Sequence, residues 1–181
     1  MRGHCILSHG FESGPDATKV TALAEAAERM GYTHERPDYS AFDAREGFGE
    51  HGDVAARIAL LMARAQRALE SGPLVLAGSS LGAWISGHVS LQLPVSGLFL
   101  MAPPIRPGSA FPLQAADVPI SIIHGWDDEL IPAQQVVDWA APRKTRLLLV
   151  DDGHRLSGHV QASADAFAEF LGHLDRTAQD D

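Results

Sequence analysis

Ser80 stands at the centre of the segment Leu74-Val75-Leu76-Ala77-Gly78-Ser79-Ser80-Leu81-Gly82-Ala83. A short apolar run leads straight into a helical pattern, so the segment reads as strand, sharp turn, helix. Gly78 and Gly82 flank Ser80 at minus two and plus two, where such a turn leaves no room for a Cβ. The turn projects Ser80 at the strand's C-terminal end, beside a helix N-terminus that favours developing negative charge. Ser79, with Ala77 and Leu81 at the same spacing, is the less suitable nucleophile. The competing reading is a Gly-Ser-rich turn with a capping serine.

A nucleophilic serine needs a base, and His154, His159 and His173 follow it in the chain. His154 comes after the strand-like run Leu147 to Val150 through Asp151-Asp152-Gly153, which places it on a loop at the same sheet edge as Ser80. His159 and His173 fall at the start of and within the last helix, where a solvated surface role is the simpler reading. The segment His124-Gly125-Trp126-Asp127-Asp128-Glu129-Leu130-Ile131-Pro132 offers two adjacent carboxylates, Asp127 and Asp128, to orient the imidazole. Asp151 and Asp152 are weaker alternatives on the histidine loop. Near the N-terminus, Ser8-His9-Gly10-Phe11 follows the first strand, and Gly10 lets the backbone bend so that an amide points at a substrate oxygen. Two such donors, about 3 Å from the developing oxyanion, make an oxyanion hole, and the candidates are the backbone N–H groups of Phe11 and Leu81.

These residues need a scaffold. The runs Cys5 to Leu7, Leu74 to Ala77, Gly97 to Met101, Ile120 to Ile123 and Leu147 to Val150 have the length of strands and lack a polar face, as strands buried on both sides do. Tyr32 to Asp38 is more polar and suits an edge. Helical patterns lie between them, at Ala17 to Met30, Val54 to Leu69, Leu81 to Leu93, Pro132 to Ala140 and Ala162 to Leu174. This alternation predicts a mostly parallel sheet with helices on both faces. Two longer loops, Tyr39 to Gly52 and the proline-containing Ala102 to Asp117, are candidates for function. The expected domain covers residues 1–175, with 176–181 as a disordered tail.

Taken together, Gly78-Ser79-Ser80-Leu81-Gly82, His124-Gly125 with Asp128 and Ile131-Pro132, Gly153-His154, and His9-Gly10 after the first strand resemble the α/β-hydrolase superfamily, over roughly residues 4 to 174. The likeness is greatest to its small bacterial esterase and thioesterase branch. The resemblance implies a three-layer α/β/α sandwich and a Ser80–His154–Asp128 triad. It also implies oxyanion donors at Phe11 and Leu81 and an acyl-enzyme route to ester or thioester hydrolysis. Of the two adjacent carboxylates the family spacing favours Asp128. Full-length members carry extra strands before the one leading to the oxyanion loop. Here that strand starts near residue 4, so the sheet should be reduced to about six strands. Ala102 to Asp117 is short for the helical cap that members with a lid insert there. That predicts no lid domain and a site open to solvent. Phe11, Phe111 and Trp126 sit on loops at the active edge and are candidates to line an acyl pocket.

Composition narrows the alternatives. The 181 residues, 45% hydrophobic and 20% charged, suit one soluble globular domain. A formal charge of -9 argues against nucleic acid and anionic membrane surfaces as partners. The single Cys5 allows no internal disulfide, and neither a signal-like nor a spanning apolar run is visible, so the cytoplasm is the expected compartment. No His-Glu-x-x-His, Gly-x-Gly-x-x-Gly or Walker-type Gly-Lys-Ser is present, so no metal and no nucleotide cofactor is expected. Two rivals remain: a hydrolase-fold protein that binds a small ligand without turnover, and a serine hydrolase acting on C–C or peptide bonds.

Overall fold

The apolar runs become strands: β1 (His4–Ser8), β2 (Thr33–Glu35), β3 (Leu74–Ser79), β4 (Gly97–Met101), β5 (Ile120–Gly125) and β6 (Arg146–Val150). In the computed structural model, which describes residues 2–107 and 111–180, they form one six-stranded sheet in the order β2-β1-β3-β4-β5-β6. Every neighbouring pair is parallel. The short polar β2 takes one edge, where a strand needs only one apolar partner.

Alternation along the strands divides the core into two layers. Ile6, Leu74, Leu76, Leu98, Leu100 and Ile122 face α3 (Val54–Leu69), α4 (Leu81–Ser90) and α5 (Ala133–Ala140). Cys5, Leu7, Val75, Phe99, Met101 and Ile123 face α1 (Thr18–Arg29) and α6 (Val160–Asp180). The result is the three-layer α/β/α arrangement, and the described residues include no lid domain. None of the described helices is long and apolar enough to cross a membrane.

Three elements differ from expectation. A short helix, α2 (Ser40–Asp43), occupies the long loop after β2, nucleated where the Asp38 carboxylate accepts the Ser40 amide at 2.9 Å. Helix α4 stops at Ser90 rather than Leu93, because Leu91 and Gln92 already donate to carbonyls three residues back as the chain approaches Pro94. Helix α6 continues past residue 175 to Asp180. Asp175 anchors it there, accepting from Arg2 Nη1 at 2.6 Å and from the Tyr32 hydroxyl at 2.7 Å.

The loop after β4 is fastened down instead of rising over the site. Trp84 Nε1 donates to the Phe111 carbonyl at 3.1 Å, Trp139 Nε1 to that of Leu113 at 2.9 Å, and Leu113 N to Ile105 O at 2.8 Å. Residues 108–110 of the loop lie outside the described residues.

The backbone is tightly packed beside Ser80. A Cβ added at Gly82 would lie 2.6 Å from the Ser8 carbonyl carbon and 2.7 Å from the His9 oxygen, both backbone atoms of the β1 end. Gly82→Ala is therefore expected to lower unfolding free energy by about 1–3 kcal/mol, the usual cost of overpacking. Denaturant midpoints read this directly, and an unchanged midpoint contradicts the packing argument.

Candidate active site

Ser80 adopts φ 53° and ψ −121°, a backbone region that a residue with a side chain occupies at a cost of about 1–3 kcal/mol. The surroundings over-determine it. Its N–H donates to Met101 O at 2.9 Å, which ties the turn to the end of β4. Its carbonyl accepts from Ala83 N at 2.9 Å and begins α4. A Cβ at Gly78 would meet Ala83 N at 2.5 Å, so strand and helix close up only around glycine.

His154 Nε2 lies 2.9 Å from Ser80 Oγ, and His154 Nδ1 lies 2.8 Å from Asp128 Oδ2. The other oxygen of Asp128 accepts the amides of Leu130 at 2.9 Å and Ile131 at 2.8 Å. Burial pushes the Asp128 carboxyl up, but hydrogen bonds from His154 and from the Ile131 and Leu130 amides outweigh it and hold it below its ordinary 3.8. An ionised carboxylate only accepts, so Nδ1 carries the proton and Nε2 presents its lone pair to the Ser80 hydroxyl.

Of the alternatives left open by the sequence, Asp127 is exposed. Asp152 builds the histidine loop instead, accepting from Gly153 N, Gly158 N and His159 Nδ1. His159 is thereby engaged, and His173 is exposed on α6. Below Asp128 sits a fully buried His124, whose Nε2 donates to Ile131 O at 2.9 Å and whose Nδ1 has no partner among the described residues. Burial lowers its pKa and keeps the ring neutral, consistent with that bare nitrogen.

The facing loop is fixed chiefly by Arg57 and Asp43, neither of which the sequence motifs single out. Arg57, with no solvent exposure, forms a two-pronged ion pair with Asp43 of α2, Nε to Oδ1 at 2.8 Å and Nη2 to Oδ2 at 2.7 Å. It also donates to His9 O at 3.1 Å and Gly10 O at 3.0 Å. His9 Nε2 accepts the Tyr39 amide at 2.9 Å, so its Nδ1 donates to Gly10 O at 2.8 Å. Asp43 in turn accepts the Glu12 amide at 3.0 Å. With the Gly10 carbonyl held twice and the peptide trans, the Phe11 N–H is aimed the opposite way. Among the described residues neither the Phe11 nor the Leu81 amide donates to a protein acceptor. Gly10 lies against Ser80, since a Cβ there would be 3.4 Å from the Ser80 Cβ.

A cleft of about 910 Å³ opens over Ser80 and His154, lined by Phe11, Leu81, Ile105 and Ile131 among others. Phe11 lines the cleft, with His51 edge-on to its ring at 5.6 Å between centroids. Phe111 and Trp126 are corrections: they are 76% and 58% exposed, and neither lines the cleft. Phe111 is turned outward because its carbonyl is committed to Trp84. Trp126 follows β5, two strands away from β3, and its amide pairs with Val150 of β6. Among the described residues no three His, Cys, Asp or Glu side chains could together hold a metal ion.

Residues 1–177 match the model of an alpha/beta hydrolase domain family. The chain belongs to this family. A protein assigned to the hydrolases of the alpha/beta superfamily from Xanthomonas campestris pv. campestris is 62% identical, with a TM-score of 0.93 over 94% of this chain and 99% of that one. More distant structures share the fold. A lidless serine hydrolase from Xanthomonas campestris has TM-score 0.68 at 24% identity, over 93% of this chain and 81% of that one. Est1E of Butyrivibrio proteoclasticus, with ferulic acid bound, has TM-score 0.78 at 18% identity, over 95% and 89%. No curated protein matches the chain.

Two outcomes follow from the charges in this α/β hydrolase. Asp43→Asn leaves the Arg57 guanidinium buried without its counter-charge and is expected to destabilise the protein by about 3–5 kcal/mol in denaturant titration. Asp128, with its folded-state pKa held below 3.8, contributes stability that is fully present above that value and is lost as pH falls through the lower folded value. The stability gap between the wild type and Asp128→Asn should therefore narrow as denaturant titrations move from pH 7 towards pH 3. A gap that widens on acidification contradicts an ionised, stabilised Asp128.

Proposed function

We propose that this α/β hydrolase is a serine hydrolase that cleaves carboxylic ester or thioester bonds of small soluble substrates through an acyl-enzyme intermediate. The observation that carries the reading is the continuous relay Ser80 Oγ, His154 Nε2, His154 Nδ1, Asp128 Oδ2, with separations of 2.9 and 2.8 Å. Ser80 Oγ attacks the substrate carbonyl carbon while its proton passes to His154 Nε2. The carbonyl oxygen becomes an oxyanion between the free amides of Phe11 and Leu81, where fixed dipoles need no rearrangement. Asp128 stays ionised and stabilises the imidazolium. Collapse of the intermediate breaks the bond to the alcohol or thiol, which leaves with the proton from His154. Water, deprotonated by the same nitrogen, then releases the acid.

The open cleft favours short- to medium-chain soluble substrates over those presented at a lipid surface, because nothing among the described residues covers the site. A panel of esters and thioesters of graded chain length, run beside Ser80→Ala, tests the proposal. Ser80→Ala is expected to lose several orders of magnitude in turnover and to escape labelling by a phosphonate serine probe. Asp128→Asn is expected to lose two to four orders of magnitude, about 3–5 kcal/mol, and Asp127→Asn less than about tenfold. Stoichiometric binding of a small molecule without turnover or labelling would favour a non-catalytic binding protein instead.

A further inference from the structure

Lys19, in the first turn of α1, lines the cleft together with Arg106 and Arg155. Of the described lining residues only Glu12 carries a side-chain carboxylate, in a chain where acids outnumber bases 23 to 14. Outside the cleft, Arg2, Arg36, Arg45, Arg57, Arg64 and Arg146 each pair with an Asp or Glu, while five other Lys and Arg side chains form no ion pair among the described residues. Among the described residues the three cleft cations form no ion pair, and Lys19 Nζ donates no hydrogen bond. Lys19 is half-buried, whereas Arg106 and Arg155 are exposed.

An ammonium group withdrawn from water without a counter-ion is destabilised. Burial lowers the Lys19 pKa, the carboxylates of Asp128 and Asp152 partly offset this, and the like charge of Arg155 adds to it. Lys19 is therefore within electrostatic reach both of Arg155 and of the carboxylate that orients His154. Neither Asp128 nor Asp152 pairs with it directly. Asp128 is committed to His154 and two amides, and Asp152 to the loop that carries His154. An anion that arrives with the substrate would give the cation a direct partner.

We propose that Lys19 and Arg155 form an anion subsite of the catalytic cleft, and that the preferred substrate is an ester or thioester carrying a carboxylate or phosphate group. The proposal rests on the serine-hydrolase reading and narrows it. Lys19 supplies a half-desolvated charge, which attracts more strongly than a fully hydrated one, while Arg155, next in the chain to His154, extends the positive field to the cleft mouth. Arg106 adds a third positive charge from the loop after β4.

Two matched substrate pairs test this and separate the two anions. The first is mono-p-nitrophenyl adipate against its methyl ester, which places a carboxylate on the acyl side. The second is S-acetyl-4′-phosphopantetheine against S-acetylpantetheine, which places a phosphate on the leaving group. The wild type is expected to favour the charged member of one pair by about tenfold or more in kcat/KM, and the pair concerned identifies the anion. The preference should shrink towards one at about 1 M salt, where the screening length is about 3 Å. In Lys19→Met the charged-to-neutral ratio should fall towards one, whereas Lys19→Arg should retain most of it. Equal turnover of both members of each pair by the wild type overturns the subsite while leaving the hydrolase reading intact. So does a Lys19→Met variant that loses the same factor on both members, since Lys19 then acts only through Asp128 or the fold. Absence of turnover on all four substrates, with no phosphonate labelling of Ser80, removes the hydrolase reading and the subsite together.

Discussion

The positive φ of Ser80 is the constraint around which the rest of the site is arranged. A serine in that conformation persists only where its neighbours leave no alternative, and here three backbone segments converge on it. The end of β4 accepts its amide, α4 begins on its carbonyl, and the end of β1 packs against Gly82. The last of these contacts also sets the position of the loop after β1. The glycine that allows the serine turn thus brings the Gly10–Phe11 peptide to Ser80 as well. On the proposed mechanism, nucleophile and oxyanion donors share one packing event.

Holding that loop is a separate problem, which the chain solves with a buried charge. Arg57 has five N–H donors and no contact with water, so each unmatched donor would carry a desolvation cost. Asp43 and the carbonyls of His9 and Gly10 accept four hydrogen bonds from Arg57, and in doing so they define where the loop can lie. A hydrophobic residue in place of Arg57 could fill the space but could not hold a carbonyl. The ion pair therefore contributes position rather than net stability, the role best supported for buried ionic groups.

The sheet, its flanking helices and the Ser80, Asp128 and His154 positions were legible because each rests on local signals. Apolar runs of strand length mark the layers, and the residues of interest lie just beyond the ends of β3, β5 and β6, which a parallel sheet gathers on one edge. Arg57 was not legible by the same means, although a signal existed. The buried positions of α3 are Arg57, Leu61 and Ala65, spaced by four, so the arginine stands at the head of the core-facing stripe. A charge at that position implies a buried partner, but its identity depends on where the loop holding α2 folds, which no periodicity encodes. Phe111 and Trp126 failed for a related reason. Aromatic character and a place near the active edge do not say which way a loop turns, and in both cases the backbone hydrogen bonds decide it.

The absence of a lid among the described residues changes what the site must do by itself. A covered hydrolase can strengthen its electrostatics by excluding water when the cover closes. In an open cleft the dielectric stays high, and charges act over short distances only. On the proposed mechanism, oxyanion stabilisation then depends on amides already aimed before the substrate arrives, because water competes for any donor that has to be recruited. The two holds on the Gly10 carbonyl meet this need: Arg57 and His9 polarise the same peptide whose N–H is offered to the substrate, and hydrogen bonds in series strengthen one another. The half-buried Lys19 of the proposed anion subsite follows the same logic. In a cleft that no described residue covers, a cation attracts a substrate group more effectively if the protein has already removed part of its water.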